Sequence, residues 1–352
     1  MGHPVTYNHT PFLFEGLFMN DEESQPVLVG LLKASFRIQD QSQGVLIPLA
    51  DQIELNVAGE FNGSPEASSY RYEPEAVLPK PKTDVILIAT AQPPEPGLSQ
   101  FEVGLRIGNT VQRAIVFGDR VWLDGAGGPA ISRPKPVESV PLIYENAFGG
   151  LDKTTLVEGM PAIENRNPVG KGYHHPSGKL VVGDALPNIE NAAQLIASYH
   201  DAPAPMGFGF VSPNWYPRAG YAGTYDEKWE ASRKPWLPSD FDTRFYNAAH
   251  TGLILDARLN GDERVRVVNA SPLATLEFRL PGLPNPYLHM QTNAGSKSRQ
   301  MCELDTVTIN TDDMLLILSY RASLPIPISG HNVAKIGVTM AGHDGGEHLR
   351  SL

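Results

Sequence analysis

Between Gly223 and His250 the chain reads GTYDEKWEASRKPWLPSDFDTRFYNAAH, which puts five acids, four basic residues and six aromatics into 28 positions. Two kinds of chemistry suit those types. Paired carboxylates beside aromatic platforms are what a glycosidase requires, one to protonate the leaving oxygen and one to act at the opposite face of the sugar. The acids of 226–242 are the candidates for a carbohydrate-active hydrolase, with Asp240 and Asp242 foremost. Trp and Arg close together are instead the residue types that most often anchor protein interfaces. Trp215, Trp229 and Trp236, three of the four tryptophans, lie within 22 residues that overlap this segment, alongside Arg218, Arg233 and Arg244.

Helix chemistry accounts for most of these charges without catalysis. Thr224 and Glu227 have capping-box spacing, with Asp226 and Glu227 near the positive helix end and Arg233 and Lys234 near the negative end. Glu230 and Lys234 stand in the favourable i,i+4 order, and Pro235 stops the helix. Arg233 is one turn from Trp229 and placed to stack on its indole. Ser239 and Asp242 repeat the cap spacing, which predicts a second short helix through FDTRFYNAA. The acids therefore read first as caps. Trp215, Arg218, Trp229, Arg233, Trp236, Asp240, Asp242 and Arg244 together read as a partner-binding set, with no catalytic residue assigned.

The rest of the chain holds few competing motifs. His174-His175 sits in a polar turn, and neither HExxH nor a Cys/His set is present, so neither a metal nor a cofactor is expected. His200, His250 and His289 could each act as a base, but no nucleophile elbow GxSxG accompanies them. GxGxxG after a strand and GxxxxGK[ST] are both absent, which argues against nucleotide binding. The net charge is -11 and no Lys/Arg run exceeds two, so nucleic acid and anionic membranes are not expected partners. A lone Cys302 excludes an internal disulfide and the multi-cysteine zinc patterns, and reads as a buried or half-buried thiol at a strand entrance in a reducing compartment. With no basic, apolar leader at the N-terminus and no run of ~18 apolar residues, the expectation is a cytoplasmic protein.

The elements that must position these residues are mostly strands. PVLVGLLKASFRI (26–38) is a long strand, GVLIP and QIELNV follow, and KPKTDVILIATAQPPEP is a buried strand closed by prolines. FEVGLRIGNTVQRAIVFGDRVW is a hairpin turning at Gly108-Asn109, with Phe101, Val103, Leu105 and Ile107 on one face. A late meander has strands near 253–259, 263–269 and 274–280, and DTVTINTDDMLLILSYRA turns at 310–313. Between them, residues 134–250 are rich in Gly, Pro and aromatics and lack lasting periodicity, a length of irregular chain that suits a functional segment. The reading is mainly β: two packed β-sandwich-like lobes, 1–133 and 251–328, a central insert 134–250 carrying short helices, and a tail 329–352 as a mobile or partner-dependent extension.

The ordered blocks KPKTDVILIATA, VFGDRVW, PLIYENAFGG, NPVGKG, LPNIE, PMGFGFVSPNWYPRAGYAGTYDEKW, PWLPSDFDTRFYNAAH and LDTVTINTDDMLLILSYRA resemble a bacterial family labelled as a domain of unknown function. Its members are encoded beside type VI secretion genes. The resemblance runs from about residue 10 to 325 and implies a cytosolic chaperone or adaptor that helps load a toxic effector onto the PAAR and VgrG spike, with no catalytic residues to carry over. A structural component of the delivered spike is the other role that setting allows. Where the family commonly has Ala-Pro followed by Asp-Gln after the FYNA block, this chain has Ala249-His250-Thr251-Gly252. On this reading residues 144–250 form the client-facing or spike-facing surface.

Overall fold

The computed structural model describes residues 4–39, 46–327 and 333–341. The protein is mainly β, with several packed sheets and, among the described residues, one short α-helix. A seven-stranded sheet runs in the order Ile254–Leu255, Thr83–Ile88, Glu303–Asn310, Leu315–Pro325, Pro26–Ile38, Leu13–Asn20, with Leu46–Pro48 added to the Pro26–Ile38 strand. Pro26–Ile38 is buried along nearly its whole length because both faces of this sheet are covered, which is why it reads as a continuous apolar run rather than an alternating one.

One face of that sheet carries Leu28, Leu32, Phe36, Val307, Ile309, Leu316 and Leu318 into the main core. The same core takes the inner faces of two further sheets. Ile189–Asn191, Thr110–Phe117, Gln100–Ile107, Arg264–Val268 and Thr275–Arg279 form a five-stranded sheet that contributes Val103, Leu105, Ile107, Val116, Val265, Val267 and Phe278. Val5–His9, Val333–Thr339, Tyr287–Thr292 and Lys297–Met301 form a four-stranded sheet that contributes Leu288, Met290, Ile336 and Val338. Alternation along each strand sends these apolar residues inward and leaves their neighbours outside.

The strands are shared differently from the expected lobes. Pro26–Ile38 pairs with Leu315–Pro325, and Gln100–Ile107 pairs with Arg264–Val268, so residues before 133 and after 251 build common sheets. Alternation identifies a strand but not its partner, because pairing is a long-range choice. The tail is corrected in the same way. Val333–Thr339 lies inside the four-stranded sheet, parallel to Val5–His9 and antiparallel to Tyr287–Thr292, and Ile336 and Val338 are buried. Residues 329–332 and 342–352 of that segment lie outside the described residues. The strand expected over 253–259 shrinks to Ile254–Leu255, and QIELNV forms no strand. The hairpin at 108–109 is present, with the positive φ (54°) on Gly108 alone, the arrangement of a turn with glycine at its first central position.

Candidate functional site

The eight residues singled out from the sequence separate into a buried root and an exposed knob. Trp215 is 3% exposed and packs with Tyr144 and Val211, its ring meeting Tyr144 edge-on at 5.5 Å. Arg218 is 5% exposed. Its guanidinium binds the Glu73 carboxylate and donates to the carbonyls of Val211 and Phe245, each at 2.8 Å. Neither side chain reaches a partner from there, so Trp215 and Arg218 leave the partner-binding set. At the far end of the segment Asn247 donates to the Lys82 carbonyl (2.9 Å) and to Asp84 (2.8 Å), and the Ala248 amide donates to Asp84 as well. One anchor ties the start of 218–247 to the 51–80 segment through Glu73, and the other ties its end to the seven-stranded sheet through Asp84.

Between them the chain rises as a knob. The helix Glu227–Ser232 is capped by Asp226, whose carboxylate accepts from the Trp229 amide. Thr224, the expected cap, instead closes the knob's base by donating its amide and hydroxyl to Asp240. Capping-box spacing could not distinguish these, since Thr224 and Asp226 both precede the first turn. The second helix is a four-residue 3-10 turn, Thr243–Tyr246, capped by Asp242. Asp242 also receives the Arg244 guanidinium at 2.6 and 2.8 Å, and Arg244 stacks over Tyr221. Glu230 and Lys234 pair at 2.9 Å as expected. Arg233 lies over Trp236 rather than Trp229 and reaches Glu23, while the Trp229 ring N–H donates to the Trp236 carbonyl. The helix ends at Ser232, before Arg233 can align over the preceding indole.

This arrangement bears on catalysis. Hydrogen bonds from Thr224 hold the Asp240 carboxyl below its ordinary value, and those from Arg244 do the same for Asp242. A glycosidase's general acid needs the opposite shift. What the knob does present is aromatic surface, with Tyr225 and Trp236 exposed, and Tyr216 is exposed just before its root.

A second exposed feature of the insert carried no signal in the sequence reading. Leu151–Val157 and Met160–Ile163 form a two-stranded hairpin that pairs with no other described strand. Leu156 and Met160 are 65% and 68% exposed, and Leu151, Val157 and Ile163 are exposed too. Its foot is fixed by Asp152, a buried carboxylate that accepts from the Thr154 amide and hydroxyl and from the His175 amide. Burial works to raise that carboxyl, and these hydrogen bonds outweigh it and lower it. The alternation of DKTTLVEGMPAI is too short and mixed to tell an outward apolar face from an inward one.

The polar face of the seven-stranded sheet borders a cavity of about 480 Å³. Register places Asp84, Thr306, Ser319 and Lys33 in one row across four strands. Lys33 pairs with Glu75, Lys80 with Asp84, and Arg321 with Asp305. These charges are matched to one another inside the protein, as buried charges must be, and the layer ties the 51–80 segment to the sheet.

The histidines and the cysteine are engaged structurally. His250 accepts at Nδ1 from Gln112 (2.8 Å) and Gly252, and faces the Pro205 carbonyl through Nε2, which assigns the neutral Nε2–H tautomer. Burial lowers its pKa. His174 is half-buried, stacked on Tyr199 at 4.1 Å. Cys302 is buried and its thiol is pushed up to about 12, far from a reactive thiolate. Among the described residues, no group of three His, Cys, Asp or Glu is placed to hold a metal, and no helix is long and apolar enough to cross a membrane.

Residues 23–321 match the family model described as "Uncharacterized protein conserved in bacteria (DUF2169)". No curated protein and no solved structure matches the chain.

Proposed function

The chain belongs to the uncharacterized bacterial family DUF2169, and from that premise we propose that it is a binding protein of type VI secretion, an adaptor that holds a toxic effector and helps load it onto the PAAR/VgrG spike. The observation that carries the binding role is the hairpin 151–163. An isolated two-stranded hairpin is marginal in water, and this one shows five large apolar side chains to solvent. Such a surface fits a partner whose apolar face covers it. The secretion setting comes from the ordered blocks of sequence, and the cytoplasm is the compartment that goes with it.

The knob adds a second contact element, with Trp229, Arg233 and Trp236 as anchors and Asp240, Asp242 and Arg244 shaping it. The test is co-expression with the proteins encoded beside it. A tagged chain recovers an otherwise unstable effector or a PAAR protein at fixed stoichiometry, and Leu156→Asp with Met160→Asp abolishes the recovery while leaving the melting temperature unchanged. Neighbours that are stable alone and bind nothing end the adaptor reading. Recovery of the chain in secreted fractions beside VgrG moves it to a component of the spike.

A further inference from the structure

The outward face of the four-stranded sheet gathers cations that are far apart in sequence. Register places Lys335, Gln291 and Lys297 in one row across three neighbouring strands, and Gly337, His289 and Arg299 in the next. Tyr7 flanks Gly337 on the opposite side, and its ring lies over that glycine, where a Cβ would come within 2.5 Å of ring atoms. Arg299 stacks over Tyr287 at 4.4 Å. Between these side chains is a hollow of about 210 Å³ lined by Tyr7, His289, Gln291, Lys297, Arg299 and Lys335, and among the described residues no carboxylate lines it.

None of Lys297, Arg299 and Lys335 takes part in an ion pair among the described residues. In a chain of net charge -11 that is an inversion of the local field. Acidic groups are repelled by the protein as a whole and drawn to this face, which is how a patch of opposite sign steers an encounter.

The face also ends in an open edge. Lys297–Met301 pairs only with Tyr287–Thr292 among the described strands, and all five of its residues are exposed. Its outer backbone groups form a template for one more strand. We propose that this edge takes an extended acidic segment of a partner protein by strand addition. Alternate carboxylates of the added strand lie beside Lys297 and Arg299, because side chains of neighbouring strands on one face stand opposite each other. Lys335, two strands inside, strengthens the field over the hollow. This surface is separate from the hairpin and the knob, so the inference stands or falls independently of the adaptor reading.

The full chain is titrated into a short fluorescein-labelled peptide of alternating Glu and Thr, with the matching Lys-Thr peptide and a single-stranded DNA oligonucleotide as comparison probes. The Glu-Thr peptide is expected to bind at low salt, to weaken as salt rises, and to lose roughly 10-fold or more in affinity when Lys297→Glu and Arg299→Glu are combined. Thermal melts verify that the double variant folds, and Lys297→Ala with Arg299→Ala replaces it if charge reversal disturbs the sheet. No binding of the Glu-Thr peptide, or equal binding by the charge-reversed chain, overturns the proposal. Tighter binding of DNA than of the acidic peptide overturns its choice of occupant. So does concentration-dependent self-association that the double variant abolishes, which makes a second copy the occupant.

Discussion

The knob of 223–244 and the outer face of the four-stranded sheet both look charged, yet they differ in where the countercharges come from. In the knob each ion pair or cap closes within a few residues or against a neighbouring loop: Asp226 on its own helix, Glu230 with Lys234, Asp242 with Arg244, Arg233 with Glu23. On the sheet face Lys297, Arg299 and Lys335 are brought together by register, and no described acid meets them. Charge density in a sequence is therefore a poor guide to available charge. Most charges of the dense segment are matched locally, and the cations free to recruit a partner come from strands with no unusual composition.

The sharpest way to break this contrast is at the root of the insert. Arg218→Met leaves Glu73 buried without its partner and is expected to cost about 3–5 kcal/mol in denaturant unfolding, the range for removing one side of a buried pair. A loss below about 1 kcal/mol means that the root does not hold the insert. Next comes the sheet face. Gly337→Ala pushes a Cβ into the Tyr7 ring and should destabilise by roughly 1–3 kcal/mol, and Tyr7→Ala in the same chain should remove most of that cost.

A smaller, local effect follows from Asp226→Ala, about 1 kcal/mol from the lost cap. It is read as a change in Trp229 fluorescence below the global transition, which distinguishes an independently melting knob from one fused to the core. The His289 pKa lies below the ordinary histidine value because of burial first and of the Arg299 cation beside it. Between its folded value and ~6.5 the unfolded chain binds the extra proton, so this contribution to stability is intact above ~6.5 and declines as pH falls through that window. Arg299→Glu should raise the His289 pKa in an NMR titration, and an unchanged value means that His289 does not sense the cationic field. Smallest of all, Lys234→Ala removes an exposed i,i+4 pair and should change stability by about 0.5 kcal/mol or less.

Much of the local structure was legible in the residues. The hairpin at Gly108, the turn after Asn310, the buried run 26–38 and the Glu230–Lys234 pair all rest on interactions within a few positions, where spacing is geometry. The site was legible only in part. Trp215 and Arg218 share the composition of an anchor cluster but lie in the interior, because a Trp or an Arg suits a core and an interface equally well and exposure is a property of what folds over it. The apolar hairpin 151–163 was missed for the converse reason, since exposed Leu156 and Met160 look in sequence like core residues.

By itself, then, the sequence determined the β class, most strand positions, the turns and the local caps, since hydrophobic period, glycine φ freedom and short-range hydrogen bonds are set by neighbours along the chain. Tertiary structure alone decided which strands share a sheet, that 333–339 is an interior strand rather than a tail, that Arg218 meets Glu73 across 145 residues, and that three cations converge with no acid among the described residues. Those outcomes depend on register and on long-range pairing, where the energy belongs to partners that no local pattern names.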